Sequence, residues 1–557
     1  MSRRMSGARF IAETFKGYGV THVFFVEAIL RKSLMEMEAL GIARVLTHSE
    51  KAAAYMADGY ARAGRKPGVC MAQAVGAANL ASGLQEPFLG HAPVVAITGR
   101  AALSAQYRHA YQEVPHAPLY AAVAKSSAAV TTLEQLPCLL RQAFRDATTG
   151  LPGPAHLDLL GHQAQTIENP EAELEVIPET AYSSLPPYRP APEPAAVREL
   201  ARVLLRAARP VIVAGGGVTT SAAGAELVAV AERLQIPVVT SLNGKESLPD
   251  AHPLNVGLVG RYSRWCANRL VSEADLVFYV GSTAGEHVTC GWRLPQPGTP
   301  VIQIDLSPAE LGRGYPALAS VCGDARISLQ MLLQELPGRP ASVWTAHAQQ
   351  LVADWRKEME PLRNSDALPI RPERLCREIT DCLPANAILV ADTGYSAIWA
   401  GSMVHLTRPG QRFLRCAGSL GWGFPGSLGA KCGAPERSVV CLTGDGGFWY
   451  HLSELETARR CGIHTVTVVN NNGALGQCAG PVRKMYGERS GTPEDLFRFQ
   501  SVNFARIAEE MGCLGLRVEE PAGIAPALRA ALAADRPAVV DVVTDVNCPA
   551  PDPWIPA

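Results

Sequence analysis

Read for its apolar and polar positions, the chain alternates short, nearly continuous apolar runs with longer stretches in which apolar residues return every three or four positions. Runs at 23–26, 69–72 and 94–98 are separated by Ala-rich segments of helical period. Continuous apolar runs suit strands buried on both faces, and helical periods suit the crossovers between them, so residues 1–167 are expected to form a parallel sheet covered by helices. The stretch 168–193 breaks the pattern, because Pro170, Pro178, Pro186, Pro187, Pro190 and Pro192 leave little periodicity. A semi-rigid linker is expected there. A second series follows over 194–337, with runs at 210–214, 237–240, 276–280 and 301–305, and a polar helical stretch over 342–364 leads to a third unit, 369–557. The expected fold class is therefore α/β, with three Rossmann-like parallel-sheet domains.

Composition narrows the partners more than the fold. Lys plus Arg number 51 against 52 Asp plus Glu, with no basic stripe interleaved with aromatics. Nothing thus points to nucleic acid or an anionic membrane, and the expected partner is a small molecule. The fourteen cysteines contain no C-x-x-C pair, which fits scattered thiols in a reducing cytosol. Residues 1–9 run directly into an amphipathic pattern at Phe10, Ile11 and Phe15. The expectation is no export, no membrane span and a cytoplasmic location.

The most informative segment is Cys441-Leu442-Thr443-Gly444-Asp445-Gly446-Gly447, followed by a helical run over 450–461, an apolar run over 463–469 and Asn470-Asn471-Asn472-Gly473. A buried strand ending at Leu442 places Asp445 at a carboxyl edge, where open parallel sheets bind ligands. Gly446 and Gly447 leave backbone N–H groups bare for a phosphate. A second strand then delivers Asn472 to the same edge. A carboxylate and an amide oxygen beside a phosphate turn suit Mg²⁺, a hard cation that keeps phosphate and water oxygens among its ligands.

A second segment, His48-Ser49-Glu50-Lys51-Ala52-Ala53, reads on its own as a helix start, with Ser49 as N-cap and Glu50 as a first-turn acid. Three further stretches stand out: Asp392-Thr393-Gly394-Tyr395-Ser396 with Trp399-Ala400; Gly418-Ser419-Leu420-Gly421-Trp422-Gly423; and Tyr111-Gln112-Glu113. Taken together and in this order, these segments resemble the thiamine-diphosphate enzymes of the acetolactate synthase, pyruvate oxidase and benzoylformate decarboxylase group, over nearly the whole chain.

That resemblance implies a pyrimidine-binding first domain, a central domain and a diphosphate-binding third domain. It implies thiamine diphosphate and Mg²⁺ as cofactors, with Asp445, Asn472 and the Ala474 carbonyl as metal ligands. Glu50 would be the acid that hydrogen-bonds N1′ of the aminopyrimidine and so promotes loss of the C2 proton. Gly394, Tyr395, Ser396, Gly444, Gly446, Gly447, Ala474, Leu475 and Gly476 would surround the diphosphate. The Gly418 carbonyl would accept the 4′-amino group, Leu420 would wedge between the two rings, and Gln112 would lie near the reacting centre. Glu50 and the metal ligands fall on different domains, so the resemblance also implies a homodimer or homotetramer with active sites between subunits.

Some positions depart from the group. The usual Pro-Gly-Gly turn after the first strand is replaced by Val26-Glu27-Ala28-Ile29-Leu30, and the usual Ser-Gly-Pro-Gly-Ala-Thr-Asn by Gln73-Ala74-Val75-Gly76-Ala77-Ala78-Asn79. Glu27 is either an added proton relay or a solvated loop acid. His116 and His287 are either proton-transfer groups or structural histidines. The central domain offers Gly215-Gly216-Gly217 without the G-x-G-x-x-G order, and Gly281–His287 in place of the Arg-Phe-Asp-Asp-Arg stretch, so FAD is not expected. The expected activity is decarboxylation of a 2-oxo acid with carboligation, the alternative being C–C cleavage of a diketone or related carbonyl compound without decarboxylation. A non-catalytic cofactor-fold module is a third reading.

Overall fold

The computed structural model describes residues 2–556. Three six-stranded sheets, parallel throughout, account for the three expected units. The first is built from His22–Phe25, Ala43–Leu46, Gly68–Ala72, Val94–Arg100, Ser126–Val130 and Pro154–Leu160; the second from Pro210–Ala214, Val238–Thr240, Asn255–Leu258, Leu276–Val280, Val301–Asp305 and Ala317–Cys322; the third from Ile388–Ala391, Arg412–Arg415, Val439–Gly444, Val466–Asn471, Leu514–Val518 and Ala538–Val543. With strands numbered within each domain, the first and third sheets share the order 2-1-3-4-6-5, while the central sheet runs 3-2-1-4-5-6. The latter is the order of dinucleotide-binding domains, and in either order ligands gather where strand sequence reverses direction, outside the carboxyl ends. Gly68–Ala72 and Leu276–Val280 are buried at every position, as their continuous apolar runs predict for strands covered on both faces.

The proline-rich stretch is not all linker. Glu171–Leu174 pairs antiparallel with Arg3–Ser6, Leu174 opposite Arg3, and the alternation that buries Leu174 and Met5 accounts for a strand where proline count suggested none. The first domain therefore continues past residue 167. The helix Val343–Arg363 is polar by composition, yet its stripe of Trp344, Leu351, Trp355 and Met359 is buried. One core cluster runs from the central sheet through this helix into the third sheet.

The first and third domains meet along two helices, Glu50–Gly64 and Gly423–Gly433, brought to backbone contact by glycine. A Cβ at Gly59 would run into the Gly426 carbonyl, one at Gly429 into the Met56 carbonyl, and one at Gly433 into the Tyr60 carbonyl. Beside this crossing Asp58, fully buried, takes two bonds from Arg62 (2.7 and 2.8 Å) and one from the Trp422 indole (2.8 Å). Burial pushes its carboxyl up to about 6 against the pull of Arg62.

Candidate active site

A buried carboxylate and a buried amide oxygen without a partner lie at the switch point of the third sheet. Its first and third strands, Ile388–Ala391 and Val439–Gly444, are neighbours, and the segments that leave them turn to opposite sides. Asp445 opens a short helical turn directly after the third strand and is 2% exposed. Its Oδ2 accepts the Ala474 N–H at 3.0 Å, which ties the Gly-Asp-Gly turn to the asparagine turn. Burial pushes the Asp445 carboxyl up to about 7, with the N–H groups of Gly446 and Ala474 opposing the shift. The Asn472 Oδ1 is buried and has no hydrogen-bond partner. Buried polar atoms are rarely left so, and an amide oxygen without a donor beside a carboxylate is what a missing cation would satisfy.

The glycines around this pair let the neighbouring turns pack closely and leave their backbone N–H groups uncovered by side chains of their own. A Cβ at Gly446 would sit 2.5 Å from the Leu475 side chain, at Gly476 2.9 Å from the Asn472 amide and 3.4 Å from Tyr395, and at Gly444 3.4 Å from the Ser396 hydroxyl. Gly394 has φ +69° and a Cβ there would meet Gln477 at 3.3 Å. Gly394, Tyr395, Ser396, Gly444, Gly446, Gly447, Ala474, Leu475 and Gly476 thus belong to one cluster. Gly418 lies at the same edge, after Arg412–Arg415, with open space where a side chain would be; Leu420 beside it is half-buried. The residues present fit Mg²⁺ and a diphosphate: Asp445 and Asn472 supply hard oxygens, and the bare turns supply N–H groups.

Glu50 is the first residue of the helix Glu50–Gly64, whose N-cap Ser49 accepts the Ala52 N–H at 3.1 Å. Its Oε2 accepts the Asn79 amide at 3.2 Å, and a Cβ at Gly76 would lie 2.5 Å from its Oε1. Glycine is needed there so that the helix Gly76–Leu89 can start against the carboxylate. Among the described residues no hydrogen bond joins Glu50 to the Asp445 group.

The other candidates scatter. Gln112 occupies an irregular segment with φ +57°, its Oε1 buried and without a partner. His116 is 2% exposed, its Nε2 bonded to the Ala74 carbonyl and its Nδ1 to Asp158, both at 2.9 Å. Both nitrogens are spent on structure, so His116 pins the Gln73–Gly76 turn from beneath rather than facing the cleft. His287 packs edge-on against Tyr262 (4.3 Å), and burial together with Arg415 and Arg261 lowers its imidazole to about 4. It lines a cavity of about 670 Å³ at the switch point of the central sheet, with Gly216, Ser282, Asp305 and Arg415. Gly215 and Gly217 are explained by packing, since a Cβ on either would strike the Gly281 backbone. Glu27 is exposed and ion-paired with Arg31, whose hydrogen bonds hold its carboxyl below the usual range.

Two buried acids beside this site were not among the candidate residues, although Asp392 opens one of the stretches singled out in the sequence. Glu86, 1% exposed, and Asp392, 1% exposed, both reach the Gly418 turn with their carboxylates. For Glu86 the available signal was the one charged residue of its helix, in Gly-Leu-Gln-Glu-Pro-Phe at 83–88.

Comparison with known proteins agrees with this geometry. Residues 5–119, 197–332 and 392–542 match, respectively, the thiamine pyrophosphate enzyme N-terminal TPP-binding domain, central domain and C-terminal TPP-binding domain. The chain is 32% identical over 564 residues to a protein of Methanocaldococcus jannaschii named probable acetolactate synthase large subunit, covering 97% of this chain and 92% of that one. It is 31% identical to the Methanococcus aeolicus protein of the same name, over 90% and 85% of the two chains. Against acetolactate synthase isozyme 1 large subunit of Escherichia coli the identity is 29%, over 85% and 83%.

Proposed function

The chain belongs to the thiamine pyrophosphate enzyme family, and from that premise we propose that it decarboxylates a 2-oxo acid and ligates the remaining fragment to a second carbonyl compound, as the name acetolactate synthase says of its relatives. The observation that carries the reading is the buried, unpartnered Asn472 Oδ1 beside Asp445 at the switch point of the third sheet. Asp445, Asn472 and the Ala474 carbonyl would hold Mg²⁺, and the Gly446–Gly447 turn would offer N–H groups to the diphosphate. Thiamine diphosphate, when bound, supplies the electron sink for the carbanion left as the bond to the carbonyl carbon breaks.

Glu50 would hold a proton against the pyrimidine N1′, kept in orientation by Asn79 and by the closeness of Gly76. Because Glu50 and Asp445 stand on different domains with no bond between them, the reading includes a homo-oligomer in which the first domain of one subunit completes the site on another. Leu420 would shape the space between the rings, and Gln112, with its free Oε1, would face the substrate. The fourteen free thiols, nine of them buried, support a cytosolic setting. Among the described residues no helix is long and apolar enough to cross a membrane.

FAD has no place in this reading, since Gly281–His287 replaces the stretch that helps the synthases hold it. The purified protein tests that directly: flavin absorbance would overturn it, and the central cavity leaves room for such an outcome. The activity is tested on the protein with thiamine diphosphate and Mg²⁺ against a panel of 2-oxo acids and 1,2-diketones. CO₂ release with a ligated product supports the proposal; free aldehyde alone, or cleavage of a diketone without CO₂, overturns the ligation or the decarboxylation step.

A further inference from the structure

The turn that carries Gly418 and Leu420 is gripped by two buried carboxylates from opposite sides. Glu86, near the end of the first-domain helix Gly76–Leu89, accepts the backbone N–H groups of Ala417, Gly418 (3.0 Å) and Ser419. Gln85 adds a bond from its amide to the Ser419 hydroxyl at 2.9 Å. Asp392, at the end of the third-domain strand Ile388–Ala391, accepts Gly421 N–H at 3.1 Å and Gly423 N–H at 3.3 Å, and its remaining bonds come from Thr393 N–H (2.7 Å) and the Thr443 hydroxyl (3.0 Å). Five of the seven N–H groups between residues 417 and 423 therefore point at carboxylates. A peptide plane whose N–H is fixed has its carbonyl fixed as well, because the peptide bond is planar. Holding the N–H of Gly418 and of Ser419 fixes the plane shared by Gly418 and Ser419, so the Gly418 carbonyl, trans to the Ser419 N–H, points away from Glu86.

Neither carboxylate has a cationic partner in these bonds, and both are nearly inaccessible to water. Buried acids cost stability unless their charge is met by several donors. A fold that needed only a turn could close it with backbone bonds alone. We propose that Glu86 and Asp392 are positioning residues: together they fix the Gly418 carbonyl to accept the 4′-amino group of the cofactor's pyrimidine, Glu86 doing so from the first domain of the same chain. This rests on the functional reading above. It assigns the turn a rigidity set by two domains at once, so that recognition of the amino group depends on the packing of the first domain against the third.

The test is a binding cycle on the full-length protein with Mg²⁺, using thiamine diphosphate and its analogue lacking the 4′-amino group, with dissociation constants read by calorimetry. In Glu86→Gln an amide N–H₂ would face a backbone N–H, and in Asp392→Asn the same conflict arises at Gly421 or Gly423. Each is expected to weaken thiamine diphosphate about tenfold, the scale of a lost charge-assisted hydrogen bond, and to change the analogue less than about twofold. Asp445→Ala should weaken both ligands alike. Equal losses for both ligands in Glu86→Gln and Asp392→Asn, or no loss in either, would overturn the clamp while leaving the cofactor assignment intact. Should both variants fail to fold, the unsubstituted protein still decides: equal affinity for the two ligands would show that nothing at the turn reads the amino group. No binding of either ligand to the unsubstituted protein would remove the functional reading itself, and the clamp with it.

Discussion

The first and third domains thread their six strands in one order, yet their switch points hold opposite contents. In the third, the segments after strands one and three are Asp392-Thr393-Gly394 and Asp445-Gly446-Gly447, which bring buried acids and bare backbone to the edge. In the first, the equivalent segments are Val26–Leu30 and Gln73–Gly76. The former puts Ala28 at φ +103° and Leu30 at φ +50°, conformations that side chains rarely take, with an exposed Glu27–Arg31 pair on top. The same topology thus makes an edge of buried acids and bare backbone in one domain and an open, side-chain-rich edge in the other. Topology says where a ligand goes; which residues end the strands says what kind of ligand, and how tightly it is oriented.

The comparison is tested most severely at Glu50, the one first-domain group assigned to chemistry rather than to shaping space. Glu50→Gln should reduce exchange of the cofactor C2 proton on the order of 10³-fold with the fold intact, within the range a positioned acid contributes. Unchanged exchange, followed by NMR, would leave the first domain a wall only. On the third domain, Asp445→Ala should weaken Mg²⁺-dependent cofactor binding by more than about a hundredfold, because losing a direct ligand should exceed the 10–100-fold that losing a supporting partner costs. Titration with and without Mg²⁺ measures it, and an unaltered affinity would sink the metal assignment.

These two residues were legible because each stands in a run whose chemistry and local structure agree: a strand end followed by bare glycines, and a helix start with its cap. Glu86 was not, since its role depends on where the end of one helix lies against a turn more than 300 residues away, and no local pattern encodes that. For a related reason the sequence left both readings of His116 open. Nothing local to Pro115-His116-Ala117 encodes that the fold brings Asp158 and the Ala74 carbonyl onto its two ring nitrogens. The strand Glu171–Leu174 was hidden by proline on either side of it. Helix and strand identity follow local period; contacts across domains do not.

The contact that holds the two unlike edges in register is the glycine crossing of Glu50–Gly64 on Gly423–Gly433. Gly429→Ala should destabilise the protein by about 1–3 kcal/mol through overpacking against the Met56 carbonyl. It should also weaken cofactor binding if the crossing transmits its geometry to Glu50 and to the Gly418 turn. Denaturant titration gives the first quantity and calorimetry the second; a loss of stability with binding untouched would separate the crossing from the site.

Buried histidines, one in each of these two domains, set a smaller effect that depends on pH. His156 in the first domain and His451 in the third are held neutral by burial, their imidazoles lowered to about 3 and about 4. Lys51 assists at His451, whereas Asp158 opposes the shift at His156. The unfolded chain takes up these protons near the ordinary value of about 6.5. Their contribution to stability is therefore intact above that pH and is lost progressively as pH falls from about 6.5 toward 4 and then 3. Denaturation midpoints should drop across this window, and drop less in His451→Gln if the third domain limits unfolding.

The smallest effect should come from Glu27, and it bears most directly on the contrast between the two edges. Its carboxylate is exposed and satisfied by Arg31, and exposed ion pairs contribute little to stability, so Glu27→Gln should leave the denaturation midpoint where it was. The strained backbone beneath it belongs to Ala28 and Leu30 and does not depend on that side chain. If the first-domain edge only shapes the space above the cofactor, kcat should hold and the change should appear in KM or in the ratio of products from competing acceptors. A fall in kcat with a shifted pH profile would instead make Glu27 a proton relay, and the open edge a second chemical one.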